Sequence, residues 1–492
     1  MSDGKPRSPG QDLPFFPLWE WEILGSPIAA VVTDPGPFPQ AASEVVLRRD
    51  EQLGLAFSLE FPPGSGVSQW VSDQPWQPEP GKLFVRTTRP LVALWEERNI
   101  EITIEKPFRR SQSGRPFSAS TVEGEAVAAR FRVRDDRTAS SVSLWLANGP
   151  GSEFFWSRTS ERRADTTLTA RRADGLQRVG SAQKGSVSRD HALLDLGRWG
   201  KILLGEVPHE VRTAPLPPRK DDTHSHCLSL EFHAGLAPLP EPSIWDRFTT
   251  AVSFALGRKL VLLGATAFDQ DHRIAWAEAR RSGGPFVPAA FERESRPPCR
   301  IAEPRAPGDL LKFFVEDRAA EIARAIVSID PASKLDAAFA RALDLLWAAD
   351  AAAVDLAPLL YMTAIDEVAT GWLEAHPPSD GRSIPEGGGA RRSLFFETVG
   401  IARGDVERAV KELRDQVAHG RCPTGENCLE PKIWLERAAR TILHRALLGA
   451  IGYPGKYIDY STEGEPERDL VVPLGGPAGD GKPVTWPGAE GA

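Results

Sequence analysis

The sequence predicts an α+β multidomain protein, with an antiparallel β-rich N-terminal part followed by an all-α helical bundle. Three observations predict it. At 492 residues the chain exceeds one ordinary domain. From Trp19 to Phe232, short runs of β-type residues alternate with turn signals. Beyond a Pro-rich stretch ending at Pro307, the hydrophobic period becomes that of a helix. The expected organisation is a β-rich sensor or regulatory domain over 1–240 and a mixed connector with linker over 241–304. A helical bundle over 305–458 and a flexible Gly/Pro-rich tail over 459–492 complete it.

The expected strands include Ile28–Thr33, Glu44–Arg48, Leu55–Phe61, Leu83–Thr87, Glu101–Glu105, Val127–Val133, Ser141–Ala147, Thr166–Ala170, Lys201–Val207 and Cys227–Phe232. Val127–Val133 and Ser141–Leu146 alternate with a period near two, as half-buried strands do. Asp190–Arg198 reads as a short helix. Ser243–Leu256 reads as a longer one, capped by Ser243, with Trp245, Phe248, Val252 and Leu256 on one face. Strand-like runs follow at Lys259–Leu263 and Arg273–Ala279. Helices are then expected over Asp309–Ile329, Leu335–Asp350, Leu356–Glu374, Leu394–Gly400, Asp405–Ala418 and Glu430–Ile451, with Gly387–Gly389 in a loop. Their short connections suit an antiparallel bundle. The last helix should turn Ile433, Ile442, Ala446 and Leu447 inward.

Composition narrows the function classes. Hydrophobic residues make up 41% and charged residues 26%, enough to bury real cores. A net charge of −8 argues against a general nucleic-acid coat, although a local basic site remains open because screening lets the near field decide. No apolar run reaches the ~18–20 residues that span a bilayer. The polar first ten residues lack the apolar core of a signal peptide, and four cysteines are too few for a disulfide scaffold. A reduced, cytoplasmic protein without a membrane partner is expected. The 46 Arg against 13 Lys read as coding bias rather than function.

One string carries chemistry. Leu413-Arg414-Asp415-Gln416-Val417-Ala418-His419-Gly420 closes an amphipathic helix whose inner stripe is Val406, Val410, Leu413 and Val417, and a Gly follows where the helix should stop. Arg-x4-His is a weak string by itself. It recurs at Arg219…His224, in a Pro-rich loop, where it is read as accidental. At the helix end it has a use. Attack of a ribose 2′-OH on its own phosphate needs proton removal, which a His near its free pKa of ~6.5 can perform at neutral pH. The crowded anionic phosphorus needs a fixed cation, which the planar Arg fork supplies. The two positions lie about 500° apart on a helix, so unwinding of the last turn or a second subunit is needed to bring them together. In the alternative reading Arg414 pairs with Asp415 or Glu412 at the surface and His419 caps the helix dipole.

These residues, with the following Trp434–Leu448, resemble the HEPN superfamily over about Leu335–Tyr453, and the layout of the whole chain resembles its ApeA-like branch. The resemblance implies a HEPN bundle, homodimerisation with two facing motifs, and metal-independent endoribonuclease activity on tRNA or other cellular RNA, with no cofactor. It also implies the role of a toxin or antiphage abortive-infection effector, triggered through the N-terminal domain. Carried over, Arg414 and His419 form the catalytic pair and Asp415 their polar companion. Arg421 stands where toxins paired with nucleotidyltransferase antitoxins carry a Tyr, which argues against that regulatory scheme. The other class considered is a non-catalytic HEPN dimerisation or nucleotide-binding protein whose β domain recognises a partner.

Between Arg391 and Arg445, eleven basic and eight acidic residues leave a local surplus of positive charge. Arg408, Lys411 and Arg421 are the leading candidates for RNA phosphates, with Arg391, Arg392 and Arg403 beside them. His419, Cys422, Cys428 and His444 hold zinc-type donors, but the cysteine spacing misses the usual gap, and no metal is assigned. His224, His226, Cys227 and His233 form a second, incomplete set. Trp19, Trp21, Trp70, Trp76, Trp145 and Trp156 read as core more readily than as a stacking platform. No phosphate-binding or dinucleotide Gly motif is present.

Overall fold

The computed structural model describes residues 27–38, 42–49, 54–63, 89–113, 120–135, 137–149, 160–161, 166–171, 177–182, 187–188, 191–206, 226–270, 273–281, 295–300, 316–378, 381–418 and 429–476. The strands are β1 (Ile28–Asp34), β2 (Glu44–Arg49), β3 (Leu55–Phe61), β4 (Leu91–Trp95), β5 (Ile100–Glu105), β6 (Phe108–Ser113), β7 (Ser120–Ala126), β8 (Ala128–Val133) and β9 (Ser141–Gly149). They continue with β10 (Ser160–Glu161), β11 (Thr166–Arg171), β12 (Gln177–Ala182), β13 (Val187–Ser188), β14 (His191–Asp195), β15 (Lys201–Glu206), β16 (His226–His233), β17 (Val261–Phe268) and β18 (Ile274–Arg280). Fourteen of them form one sheet in the order β14-β15-β16-β9-β17-β18-β8-β5-β4-β1-β2-β3-β7-β6. Neighbouring strands in it run antiparallel, as between β1 and β2, β5 and β8, and β9 and β16.

Alternation explains the pairing. In β5, Ile100, Ile102 and Ile104 are buried while Glu101, Thr103 and Glu105 are partly exposed. In β3, Leu55, Phe57, Leu59 and Phe61 are buried. The sheet curls around these residues. In a flat sheet, β18 and β7 would lie about 34 Å apart at ~4.8 Å per strand. Instead Arg281, just past β18, makes a 2.7 Å ion pair with Glu125 of β7, and its N–H donates to Val127. Arg49 at the end of β2 donates to the carbonyls of Arg280 and Leu263, closing the same gap.

Two cores meet at β9 and β17. In β9, Val142, Leu144 and Leu146 face the helices, while Trp145 and Ala147 face the curled sheet. In β17 the parity reverses partway: Leu263 points into the curl, but Ala265 and Ala267 point to the helices. Gly264 makes the reversal. It sits at φ 147°, in a register shift against β9, and a Cβ there would lie 2.0 Å from the Glu278 carbonyl oxygen. A one-residue bulge moves every later side chain to the other face.

The helices are α1 (Pro242–Leu256), α2 (Glu316–Val327), α3 (Lys334–Ala351), α4 (Ala357–Ala375), α5 (Gly388–Thr398), α6 (Asp405–Ala418) and α7 (Leu429–Ala450). α1 lays Trp245, Phe248, Val252 and Leu256 on the sheet, and Trp245 stacks on Trp276 of β18 with centroids 5.9 Å apart. α3 buries Leu335, Phe339, Leu343, Leu346 and Trp347, and α4 buries Ile365 and Val368, as their periodicity requires. Ser333 caps α3, accepting from the Asp336 N–H. α3 and α4 meet closely at Gly371, where a Cβ would fall 2.2 Å from that of Ala338. These helices share one continuous apolar core with α1, β9 and β14–β17.

Several expectations change. The region read as a helix over Asp190–Arg198 is β14 followed by a 3-10 turn, because Leu194 packs inward as a strand residue opposite Ile202. The cap of α1 is Glu241, without a side-chain bond, and Pro242 begins the helix, so Ser243 does not cap it. α5 begins at Gly388, and Gly387 is its cap rather than a loop glycine. Part of the expected tail is packed: β19 (Lys456–Ile458) and β20 (Glu467–Asp469) form a hairpin, and Tyr460, Ser461 and Leu474 are buried. Asp459 organises it, accepting from the Ser461 N–H, the Thr462 hydroxyl, Arg468 Nε and the Gly475 N–H. The expected strand Leu83–Thr87, the start of the expected helix Asp309–Ile329 and residues 477–492 lie outside the described residues.

Candidate functional site

The helix bearing the Arg-x4-His string is α6, and its bounds match those read from the sequence. Gly404 precedes its first residue, and Glu407 reaches back to accept the Gly404 N–H at 2.8 Å, a capping-box arrangement. Val406, Glu407 and Val410 are buried, whereas Arg408, Lys411 and Glu412 face solvent. Asp415 is half-buried in the last turn. The backbone of Arg414 lies on α6; its side chain, and all of His419 and Arg421, lie outside the described residues. Position 414 follows Glu407 by seven residues, about 20° short of two full turns, so both lie along one line of the helix.

The candidate RNA contacts separate into two kinds. Lys411 is exposed and makes no salt bridge among the described residues, while Arg408 is exposed and bonds to Asp405 one turn back. Arg392 is instead buried, with both Asp366 oxygens 2.7 Å from its Nη1. Arg391 donates to the Pro385 carbonyl at 2.7 Å, and Arg403 donates to the Ser393 hydroxyl while lying over the Phe396 ring. Arg392 is thus held in an ion pair inside the bundle, while Arg391 and Arg403 bond to neighbouring carbonyl and hydroxyl groups beside α5.

Next to α6 stands α7, which buries Glu436, Arg440, His444 and Arg445 while Glu430 and Arg437 are exposed. Arg440 donates to Asp350 of α3 at 2.9 Å, and their ion pair closes to 2.8 Å. The Tyr361 hydroxyl of α4 donates to the same Asp350 at 2.6 Å and lies 3.1 Å from Glu436. Arg296 of the linker reaches Glu436 at 3.4 Å. Burial raises the Asp350 carboxyl pKa, opposed by Arg440 and by the Tyr361 hydroxyl. One turn beyond Arg440, His444 is sealed between the rings of Phe254 and Tyr460. Burial, reinforced by Arg440 and Arg296, holds its imidazole well below the usual range, and its Nδ1 has no partner. A sealed, neutral imidazole cannot cycle protons with a substrate. Arg440 and His444 are therefore scaffold, and His444 stands away from any zinc role. Among the described residues no group of three or more His, Cys, Asp or Glu is arranged to hold a metal ion.

Arg445 links the two helices. It is buried at 1% exposure, and its Nη1 donates to Glu407 at 2.6 Å. Its Nη2 donates to the carbonyls of Ala402 and Leu470, each at 2.9 Å, and its guanidinium lies over the Tyr457 ring. Its role was hard to read from sequence, because a charged residue on an expected inner face reads as a break in the stripe. The available signal was that α7 has apolar residues all round, which marks a helix enclosed on every side. Its first turn departs from this: Leu429 and Ile433 are exposed, correcting the inward placement of Ile433.

The remaining sequence candidates resolve simply. Trp145 is buried and donates to the Thr266 hydroxyl at 2.9 Å, so it belongs to the core. Its companions Trp19, Trp21, Trp70, Trp76 and Trp156 lie outside the described residues, as do His224, Cys422, Cys428 and the side chains of His226 and Cys227. His233 lies 3.4 Å from Glu231 within β16. The Cys299 thiol, pushed up to about 12 by burial, is inert. No helix among the described residues is long and apolar enough to cross a membrane. Compared with protein-family models, curated proteins and solved structures, the chain matches none.

Proposed function

We propose that this chain is a metal-independent endoribonuclease of HEPN type, acting as a homodimer on tRNA or another cellular RNA. The observation that carries the reading is α6 itself. Its bounds place Arg414 and Asp415 in its last turns and His419 one residue past its end, within a helical bundle and beside a solvent-facing surface with Arg408 and Lys411. In this scheme His419 takes the proton from a ribose 2′-OH. The 2′ oxygen bonds to phosphorus, the 5′ oxygen leaves with a proton from a general acid, and a 2′,3′-cyclic phosphate remains. Arg414 stabilises the charge that builds on the phosphoryl oxygens, and Asp415 orients one of the pair. A second subunit brings together groups that one helix holds apart. The role in phage defence follows from the family resemblance alone.

The test is purified full-length protein with tRNA in EDTA, wild type against His419→Ala. The expected result is cleavage to cyclic-phosphate ends, reduced at least ~100-fold by the substitution. Equal cleavage by both proteins would remove His419 from the chemistry, and cleavage by neither would move the assignment to a non-catalytic dimerisation or nucleotide-binding protein.

A further inference from the structure

We propose that Glu407 and Arg445 are positioning residues for the motif helix, clamped by the 470–474 segment. The proposal rests on the ribonuclease reading of α6. Its starting observation is how the N-terminal half of α6 is held. Among its described side chains Val406, Glu407 and Val410 are buried, and the valine contacts, being non-directional, do not by themselves fix the axial position of the helix. Glu407 supplies what they lack. Its Oε2 accepts the Gly404 N–H at the start of α6, and its Oε1 accepts Arg445 at 2.6 Å and the Leu474 N–H at 3.0 Å.

Arg445 repeats the pattern from α7. Its fork binds Glu407, the Ala402 carbonyl in the segment leading into α6, and the Leu470 carbonyl. Tyr457 covers the guanidinium and donates its hydroxyl to the Val472 carbonyl, while a Cβ on Gly404 would meet Pro473 at 3.0 Å. Four separate pieces of chain converge on one buried ion pair. They are the α6 start, the loop before it, α7, and the 470–474 segment that leaves the C-terminal hairpin. A buried pair of this kind is a weak source of net stability, because desolvation offsets attraction, but its directional bonds fix register. Position 414 lies two turns along the line set by Glu407, about 10.5 Å away. A turn or slide of α6 at the clamp therefore carries directly to Arg414. An ångström of misplacement at a phosphoryl centre is enough to cost about 100-fold in rate.

The double variant Glu407→Gln/Arg445→Met separates positioning from stability. Gln keeps a capping acceptor, and Met fills the space without an orphaned charge. Hydrogen–deuterium exchange of the full chain reads the clamp without reference to catalysis. The expected result is at least tenfold faster exchange in peptides from α6, unchanged exchange in α3 and α4, and a kcat for RNA cleavage at least tenfold lower with KM unchanged. Unchanged α6 exchange overturns the proposal, as does faster exchange with wild-type kcat. Faster α6 exchange in a protein whose wild type cuts no RNA leaves the clamp standing and removes the ribonuclease reading instead.

Discussion

α6 and α7 are neighbours in the bundle, both rich in charge, yet they use it in opposite ways. α7 buries Glu436, Arg440, His444 and Arg445 and pairs the acids and arginines, so its charges act as internal fasteners. α6 buries one charged group among its described side chains, Glu407, and leaves Arg408, Lys411 and Glu412 in solvent. An arginine followed by a histidine occurs on or just past both helices, but surroundings decide its meaning. On α7 the imidazole is neutral and enclosed; on α6 the charged side chains Arg408, Lys411 and Glu412 face solvent. Burial and partners, not the string, separate scaffold from candidate site.

The comparison breaks most visibly through function. Arg414→Ala should lower RNA cleavage by at least ~100-fold while the thermal unfolding midpoint stays within a degree or two of wild type. A large loss of stability would place Arg414 with the fasteners of α7 instead. Arg440→Ala should do the reverse. It strands Asp350 in the core and should cost about 3–5 kcal/mol in denaturant unfolding, whereas Asp350→Asn/Arg440→Met should recover much of that loss.

His444 sharpens the contrast through pH. Its folded pKa lies well below 6.5, so the unfolded chain binds a proton that the folded chain refuses. Stability from this group is complete above about pH 6.5 and falls as pH drops below it, by up to about 1.4 kcal/mol per pH unit. His444→Phe should remove that part of the acid slope, measured as the difference between the two unfolding curves over pH 4.5–7. The smallest effect belongs to the outer face of α6. Arg408→Ala breaks only an exposed pair and should change stability by less than about 0.5 kcal/mol; under the ribonuclease reading it weakens RNA binding and flattens its salt dependence.

Much of the architecture was legible in the chain. Ile100-Glu-Ile-Thr-Ile-Glu declares a half-buried strand, and Leu335, Phe339, Leu343 and Leu346 declare a helix face, because local period reports which side meets the core. The bounds of α6 followed from its apolar stripe and the Gly placed where it should stop. The curl of the sheet was not legible, since contacts such as Arg49 to Leu263 join residues more than two hundred positions apart. Nor was the reversal at Gly264, where one bulge changes which core each side chain enters. The C-terminal hairpin was hidden by its Gly and Pro content, which marks turns as readily as it marks loose chain; Asp459 and its five donors make the difference. At the candidate site, the string pointed to α6, but Glu407 and Arg445 became visible only when two helices and the 470–474 segment were seen to converge.

The most direct test of the central claim uses an RNA oligonucleotide whose cleavage position has been mapped, compared in EDTA with the same strand carrying a single 2′-deoxy sugar on the 5′ side of that bond. Proton abstraction from the ribose hydroxyl predicts that the substituted bond stays intact while the parent strand is cut. Cleavage of the deoxy-substituted bond at the parent rate would contradict the account.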